Sequence, residues 1–163
     1  MYSYLYNFIQ KIILKKSLNS DVGNLLRTIK FQNIIDIGCG EGDVHNYFKI
    51  NKDQKYFGYE IDDYFVQKLK KKYNKKNFYF TKKSINQINF KKFNPKKTII
   101  MLIGIFHHLD DITIKLFLSK TTNFKIISID AVILPDQNLI TKLLFYFDRG
   151  DFIRKLSAYK KII

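Results

Sequence analysis

The sequence predicts an α/β fold: a doubly wound, mostly parallel sheet of about five strands with helices on both faces. Three observations carry this. Short apolar runs rich in β-branched or aromatic residues recur at spacings of about 20 residues, helical patterns fill the intervals, and the runs lack the strict polar–apolar alternation of a half-exposed strand. A strand with one wet face alternates, so a continuous apolar run needs cover on both faces, which crossover helices supply. The 163 residues, 46% hydrophobic and 26% charged, have the balance of one folded domain with a core. A chain of that length buries roughly 70% of the surface its unfolded form exposes, so neither disulfide nor metal is needed to hold it.

The elements follow in order. Residues 2–17 place Leu5, Phe8, Ile9, Ile12 and Ile13 at helical spacing with lysines opposite, an amphipathic helix. A second helix spans 21–30, capped by Ser20 or Asp21, with Val22, Leu25, Leu26 and Ile29 inward. Strands are expected at 33–37, 56–61, 77–81, 98–103 and 125–130, and helices at 43–50, 64–73, 84–90 and 111–121. After a turn at Pro135 come two more helices, 137–147 and 151–163. With no linker or repeat in view, 1–163 reads as a single domain: N-terminal helices over 1–30, a sheet core over 31–130 and C-terminal helices over 131–163.

In an open parallel sheet a ligand binds beyond the carboxyl ends of the strands, which makes the residues after each strand the ones to inspect. The first such turn reads Asp36-Ile37-Gly38-Cys39-Gly40-Glu41-Gly42, a buried strand running into three alternate glycines. Glycines allow a tight turn and let a cofactor lie against bare backbone. Near the end of the second strand, 24 residues after Asp36, stands Glu60, where a carboxylate can accept from a ribose diol. A nicotinamide dinucleotide wants Gly-x-Gly-x-x-Gly, but Asp43 stands at the last position, and a pyrophosphate would meet Asp36, Glu41 and Asp43. An acidic turn suits a cation instead, and S-adenosylmethionine carries a sulfonium and an ammonium.

These runs resemble a known family. Residues 36–42 look like the first motif of the class I S-adenosylmethionine-dependent methyltransferases, which have a Rossmann-like fold, and 56–62, Tyr-Phe-Gly-Tyr-Glu-Ile-Asp, are similar to their second. The fourth strand and its turn, 101–111, resemble the form with a double histidine, His107 and His108, before the next helix. The run 148–154, Asp-Arg-Gly-Asp-Phe-Ile-Arg, with Tyr159, looks like a subgroup acting on small molecules or glycans.

Carried over by residue, the resemblance implies S-adenosylmethionine as cofactor. The backbone of Gly38, Cys39 and Gly40 would approach its methionine part, Asp36 would orient the ammonium, Glu60 would hold the ribose hydroxyls and Ile61 would lie against the adenine. Ser84 stands where the family has an acidic residue near the adenine amine, and Ile103 completes the cofactor-binding set. His107 or His108 would serve as general base for a hydroxyl acceptor, and Arg149 and Arg154 would bind an anionic one. Arg149 and Arg154 equally suit ion pairs that lock one helix to the next. Cys39, among acidic neighbours, reads as a small turn residue rather than a nucleophile. The family's sheet normally ends in two further strands, absent from this sequence, so the chain is expected to lack them and to be truncated.

Composition excludes other classes. One cysteine rules out an internal disulfide framework and any Cys-based zinc pattern; no metal is expected, and a reducing, cytoplasmic setting is. No apolar run approaches the roughly 18 residues of a membrane span, and no secretory signal is read. The net charge of +15 invites nucleic acid, but 26 of the 29 basic residues are lysine, beside 25 Ile and 13 Asn, the residues AT-rich codons favour. A phosphate-gripping surface would draw on Arg, so nucleic acid is not favoured. The sequence reading is therefore methyl transfer to a small-molecule or glycan-type acceptor, at oxygen before nitrogen. Two alternatives stand beside it: methylation of structured RNA, and a non-catalytic cofactor-binding subunit that needs a partner chain.

Overall fold

The computed structural model describes residues 22–42, 48–74, 76–137, 139 and 150–162. Five strands, β1 (Asn33–Ile37), β2 (Lys55–Glu60), β3 (Phe78–Lys82), β4 (Thr98–Ile103) and β5 (Lys125–Ile129), form one sheet in the order β3-β2-β1-β4-β5. Every neighbouring pair is parallel. The fold is the Rossmann-like one expected, and its order reverses at β1, between β2 and β4, which sets the crevice at the carboxyl ends of those strands.

Strand periodicity divides the core in two. Ile34, Tyr56, Ile99 and Met101 face one side, against Val22 and Leu26 of α1 (22–28) and Val66 and Leu69 of α2 (Asp63–Lys72). Ile35, Ile100 and Leu102 face the other, against Ile114 and Phe117 of α3 (Asp111–Lys120) and Tyr159 of α4 (Leu156–Ile162). Successive strand side chains point to opposite faces, so β4, apolar from Ile99 to Ile103, feeds both clusters at once. Local chemistry starts the helices. Asp62 accepts from the Tyr64 N–H (2.8 Å) to cap α2, and Asp110 accepts from the Thr113 N–H (2.7 Å) to cap α3.

Three expected helices change. Residues 84–90 hold 3-10 turns at Ile85–Gln87 and Phe90–Lys92 instead, because the Asn89 side chain accepts from the Lys91 N–H and restarts the chain at that point. Of 43–50, residues 48–50 are not helical and 43–47 lie outside the described residues. At the C-terminal end, the helix expected over 151–163 begins only at Leu156. Before it, β7 (Arg154–Lys155) runs parallel to β6 (Val132–Ile133), a pairing that takes up backbone groups a helix would have satisfied internally. The expected helices at 2–17 and, except for 137 and 139, at 137–147 also lie outside the described residues.

One glycine inside a strand holds the site's floor. A Cβ at Gly58 would stand 2.7 Å from Phe80 Cδ1 and 2.8 Å from Cys39 Sγ, so the bare centre of β2 admits both side chains. Gly58→Ala is expected to lower stability by about 1–3 kcal/mol through overpacking. Urea denaturation reads it directly: an unchanged midpoint would mean that Phe80 and Cys39 give way without cost.

Candidate functional site

The turn after β1 is built as a continuation of the β1–β2 pairing. The Gly38 and Cys39 N–H groups both donate to Tyr59 O, at 2.7 and 3.2 Å, carrying the chain across the end of β2. Gly38 and Gly40 have φ of 68° and 48°, the left-handed region that side chains with a Cβ resist. The turn is then tied to the second strand by one side chain. Glu60 Oε2 accepts from the Gly40 N–H (2.9 Å), while its Oε1 accepts from the N–H groups of Ile61 (2.7 Å) and Asp62 (3.1 Å). Gly38, Cys39, Gly40 and Glu60, chosen from the sequence, therefore meet at one place.

Asp36 lies beneath them, 5% exposed. Burial pushes its carboxyl up to about 7, against a hydrogen bond from the Tyr56 hydroxyl (2.5 Å) that pulls it down, with the Glu60 carboxylate adding to the rise. Burial, with help from Asp36 and Glu60, pushes the Cys39 thiol far above its ordinary value, which keeps it a thiol and a packing group. Sequence reasoning placed Tyr56 only as the first residue of the second strand and of the 56–62 run, with no role at the site. Its signal was available in the register, two residues before Gly58, which pairs with Asp36.

Around this turn, Ile61 and Tyr64 are 69% and 67% exposed, two large apolar side chains presented beside Glu60. The Ile105 side chain covers Gly38 so closely that a Cβ there would lie 2.1 Å from Ile105 Cδ1. Ile103, at the end of β4, packs against the first core cluster. Ser84 is half-buried after β3, with its N–H donating to Gln87 Oε1 (2.9 Å) and its hydroxyl 3.2 Å from the same oxygen.

The second half of the site lies after β4 and β5. His107 is buried, with Nδ1 against Asp130 Oδ1, and His108 is exposed with its ring 4.2 Å from that of His107, centre to centre. Asp130 was missed in the sequence, although it directly follows a strand, the position that the sheet's geometry singles out. Its carboxylate accepts three times: from His107, from the Phe106 N–H (2.5 Å) and from the Ala131 N–H (2.8 Å). Arg154 lies close by, but its guanidinium is taken up within the chain. It meets Asp111 Oδ1 from Nε (2.9 Å) and Nη2 (2.6 Å), Leu109 O from Nη2 (2.7 Å), and Phe106 O and Phe152 O from Nη1 (3.1 and 2.8 Å). Arg149 lies outside the described residues.

Two open hollows elsewhere, about 370 and 720 Å³, share Phe48 and lie at the amino ends of the strands, near Phe31 and Phe78. They are remote from the glycine turn. No helix among the described residues is long and apolar enough to cross a membrane.

Known structures share this fold. No curated protein matches the chain. Among solved structures, a candidate O-methyltransferase from Nostoc punctiforme superposes with a TM-score of 0.70 at 14% identity, over 91% of this chain and 48% of its own. A plantazolicin methyltransferase, crystallised with a desmethyl-plantazolicin analogue and S-adenosylhomocysteine, gives 0.68 at 16%, over 99% of this chain and 66% of its own. An S-adenosylmethionine-dependent methyltransferase from Aquifex aeolicus gives 0.62 at 17%, over 96% of this chain and 85% of its own. The chain thus spans about half to two thirds of the length of the first two. At these identities the likeness shows the fold. A family described as "methyltransferase domain" matches residues 34–124, from β1 and its glycine turn to the start of β5. With more than half of its length matched, the chain belongs to the methyltransferase-domain family.

Proposed function

We propose that this chain binds S-adenosylmethionine at the turn after β1 and transfers its methyl group to a small-molecule or glycan-type acceptor, at oxygen before nitrogen. The observation that carries the reading is the joint between Glu60 and Gly40, with the buried Asp36 carboxyl beneath it. Two acidic side chains under bare backbone suit a ligand with cationic groups and repel a pyrophosphate.

The residues present fit that cofactor. Bound there, it would supply a methyl on a sulfonium, an electrophile that needs no further activation. Asp36 would orient the ammonium. Glu60 Oε2 accepts one N–H in this structure and, as a carboxylate oxygen, can take a ribose hydroxyl besides. Ile61, with Tyr64 next to it, offers apolar surface for the adenine, and Ser84 and Ile103 would flank it. In-line displacement mostly requires alignment and exclusion of water, so few acid–base groups are required. We assign His107, held on Asp130, as the base that takes a proton from an acceptor hydroxyl, with the exposed His108 as its alternate. The double histidine and the 148–154 run support the subgroup acting on small molecules or glycans.

Calorimetric titration with S-adenosylhomocysteine and S-adenosylmethionine, with NADH as control, tests this reading. Micromolar binding of the first two and none of NADH is the expected result. A folded chain that binds neither, or that prefers NADH, overturns it.

A further inference from the structure

The sequence left Arg154 between two jobs, gripping an anionic acceptor and locking helices together. The structure points to a third. Its guanidinium is 9% exposed and is placed against three successive parts of the turn that follows β4: Phe106 O, Leu109 O and the Asp111 carboxylate at the first turn of α3. Tyr159 of α4 and Phe152 carry rings 5.7 and 5.4 Å from its centre. A planar fork can address two carbonyls and a carboxylate at once; an ammonium on a flexible stem cannot.

The same segment meets His107 twice more. The Phe152 N–H donates to His107 O (2.9 Å). Gly150 lies so close to the imidazole that a Cβ there would stand 2.1 Å from Cδ2 and 2.7 Å from the carbonyl oxygen. On the opposite side, Asp130 receives His107 and the Phe106 N–H together. The turn 106–109 is therefore held from β5 by Asp130 and from the C-terminal segment by Arg154, while the glycine turn after β1 is held by Glu60 alone of these groups.

We propose that Arg154 is a positioning residue for the proposed methyl transfer: by clasping the Phe106–Leu109 turn it keeps His107 on Asp130 and fixes which ring nitrogen carries the proton. Asp130 already accepts two backbone N–H groups, so it is the acceptor of the pair and the His107 proton resides on Nδ1. The proposal rests on the methyltransferase reading for its functional meaning, but not for its structural content.

The test is imidazole nitrogen NMR of the whole chain between pH 5.5 and 8.5, with His107 assigned by the loss of its signals in His107→Gln, beside calorimetry with S-adenosylhomocysteine. In the parent, Nδ1 of His107 is expected to stay protonated throughout. In Arg154→Ala it shifts toward the tautomer average of an exposed histidine, and amide exchange at Leu109 quickens at least tenfold. Arg154→Lys is expected to fail to restore either. S-adenosylhomocysteine affinity stays within about twofold of the parent in both variants. An unaltered His107 signature and exchange rate in Arg154→Ala overturn the proposal, as does full rescue by lysine. If Arg154→Ala fails to fold, Asp111→Asn, at a side chain 58% exposed, decides instead: a smaller shift of His107 in the same direction supports the clasp, and no shift overturns it. A parent that binds no S-adenosylhomocysteine yet shows the Arg154-dependent His107 signature sinks the methyltransferase reading and keeps the clasp.

Discussion

Glu60→Ala is expected to abolish measurable S-adenosylhomocysteine binding, a loss of at least about 100-fold, and to lower stability by about 2–3 kcal/mol. Both effects come from one side chain. Its carboxylate accepts the N–H groups of Gly40, Ile61 and Asp62, so removing it leaves three partly buried donors without that acceptor and frees Gly40 from the end of β2, with the turn then held there by the Gly38 and Cys39 bonds to Tyr59 O. Glu60→Gln separates the two effects. One amide oxygen can still accept, but the NH₂ group faces other donors, so the glutamine variant should recover part of the stability and little of the affinity. Urea denaturation and calorimetry on the same preparations give the two numbers. Should Glu60→Ala bind S-adenosylhomocysteine within threefold of the parent, the cofactor is not held at this joint.

Asp36→Asn is expected to make the protein more stable above neutral pH and a poorer binder of S-adenosylmethionine. The Asp36 carboxyl titrates near 7 in the folded chain, against 3.8 for an ordinary aspartate, and burial is the main cause. Between those two values the folded state keeps a proton that the unfolded chain has released. The stability that goes with the protonated form is therefore fully present below about pH 4 and is lost as pH rises to about 7, a loss of about 4 kcal/mol. Asparagine is neutral throughout and can still accept from the Tyr56 hydroxyl. The gain should be about 2–4 kcal/mol at pH 8 and should vanish near pH 4, read by urea denaturation at a series of pH values. Binding moves the other way. An ionised Asp36 is the proposed partner of the ammonium, so the parent's affinity should fall by up to about tenfold per unit as pH drops below 7. Asp36→Asn should be about tenfold weaker at pH 8 and flat with pH. Equal pH dependence in parent and variant would place the titrating group elsewhere.

These two residues illustrate how a site becomes legible. Asp36 and Glu60 stand at the ends of apolar strands, and the end of a strand can be found from pattern alone. The strand positions are each within a residue or so of expectation, because a short run rich in β-branched or aromatic residues between polar and turn-forming stretches is recognisable on its own. The 3-10 turns at 85–92 were harder. The apolar positions Ile85, Ile88 and Phe90 suit a helix, and it is Asn89, bonding its own neighbour, that divides the stretch.

The contacts around His107 were beyond the sequence for a different reason. Asp130 is 23 residues from His107 in the chain, and Arg154 is 43 from Asp111 and 48 from Phe106. No periodicity links such positions. They meet because β4 and β5 are neighbours in the sheet and because β7 pairs with β6, bringing the C-terminal segment back over the turn. Glycine 58 belongs to the same class: in sequence it is a weak point in a strand, and only the approach of Cys39 and Phe80 explains it.

What this amino-acid sequence determined by itself was the layered α/β sheet, the glycine turn and the acid at the end of the next strand, since a strand end and a glycine turn are each recognisable from a short local run. What the tertiary structure alone decided was the protonation setting of Asp36, the acceptor role of Asp130 and the internal engagement of Arg154. Those depend on burial and on the meeting of distant side chains, and neither quantity exists until the strands have taken their order in the sheet.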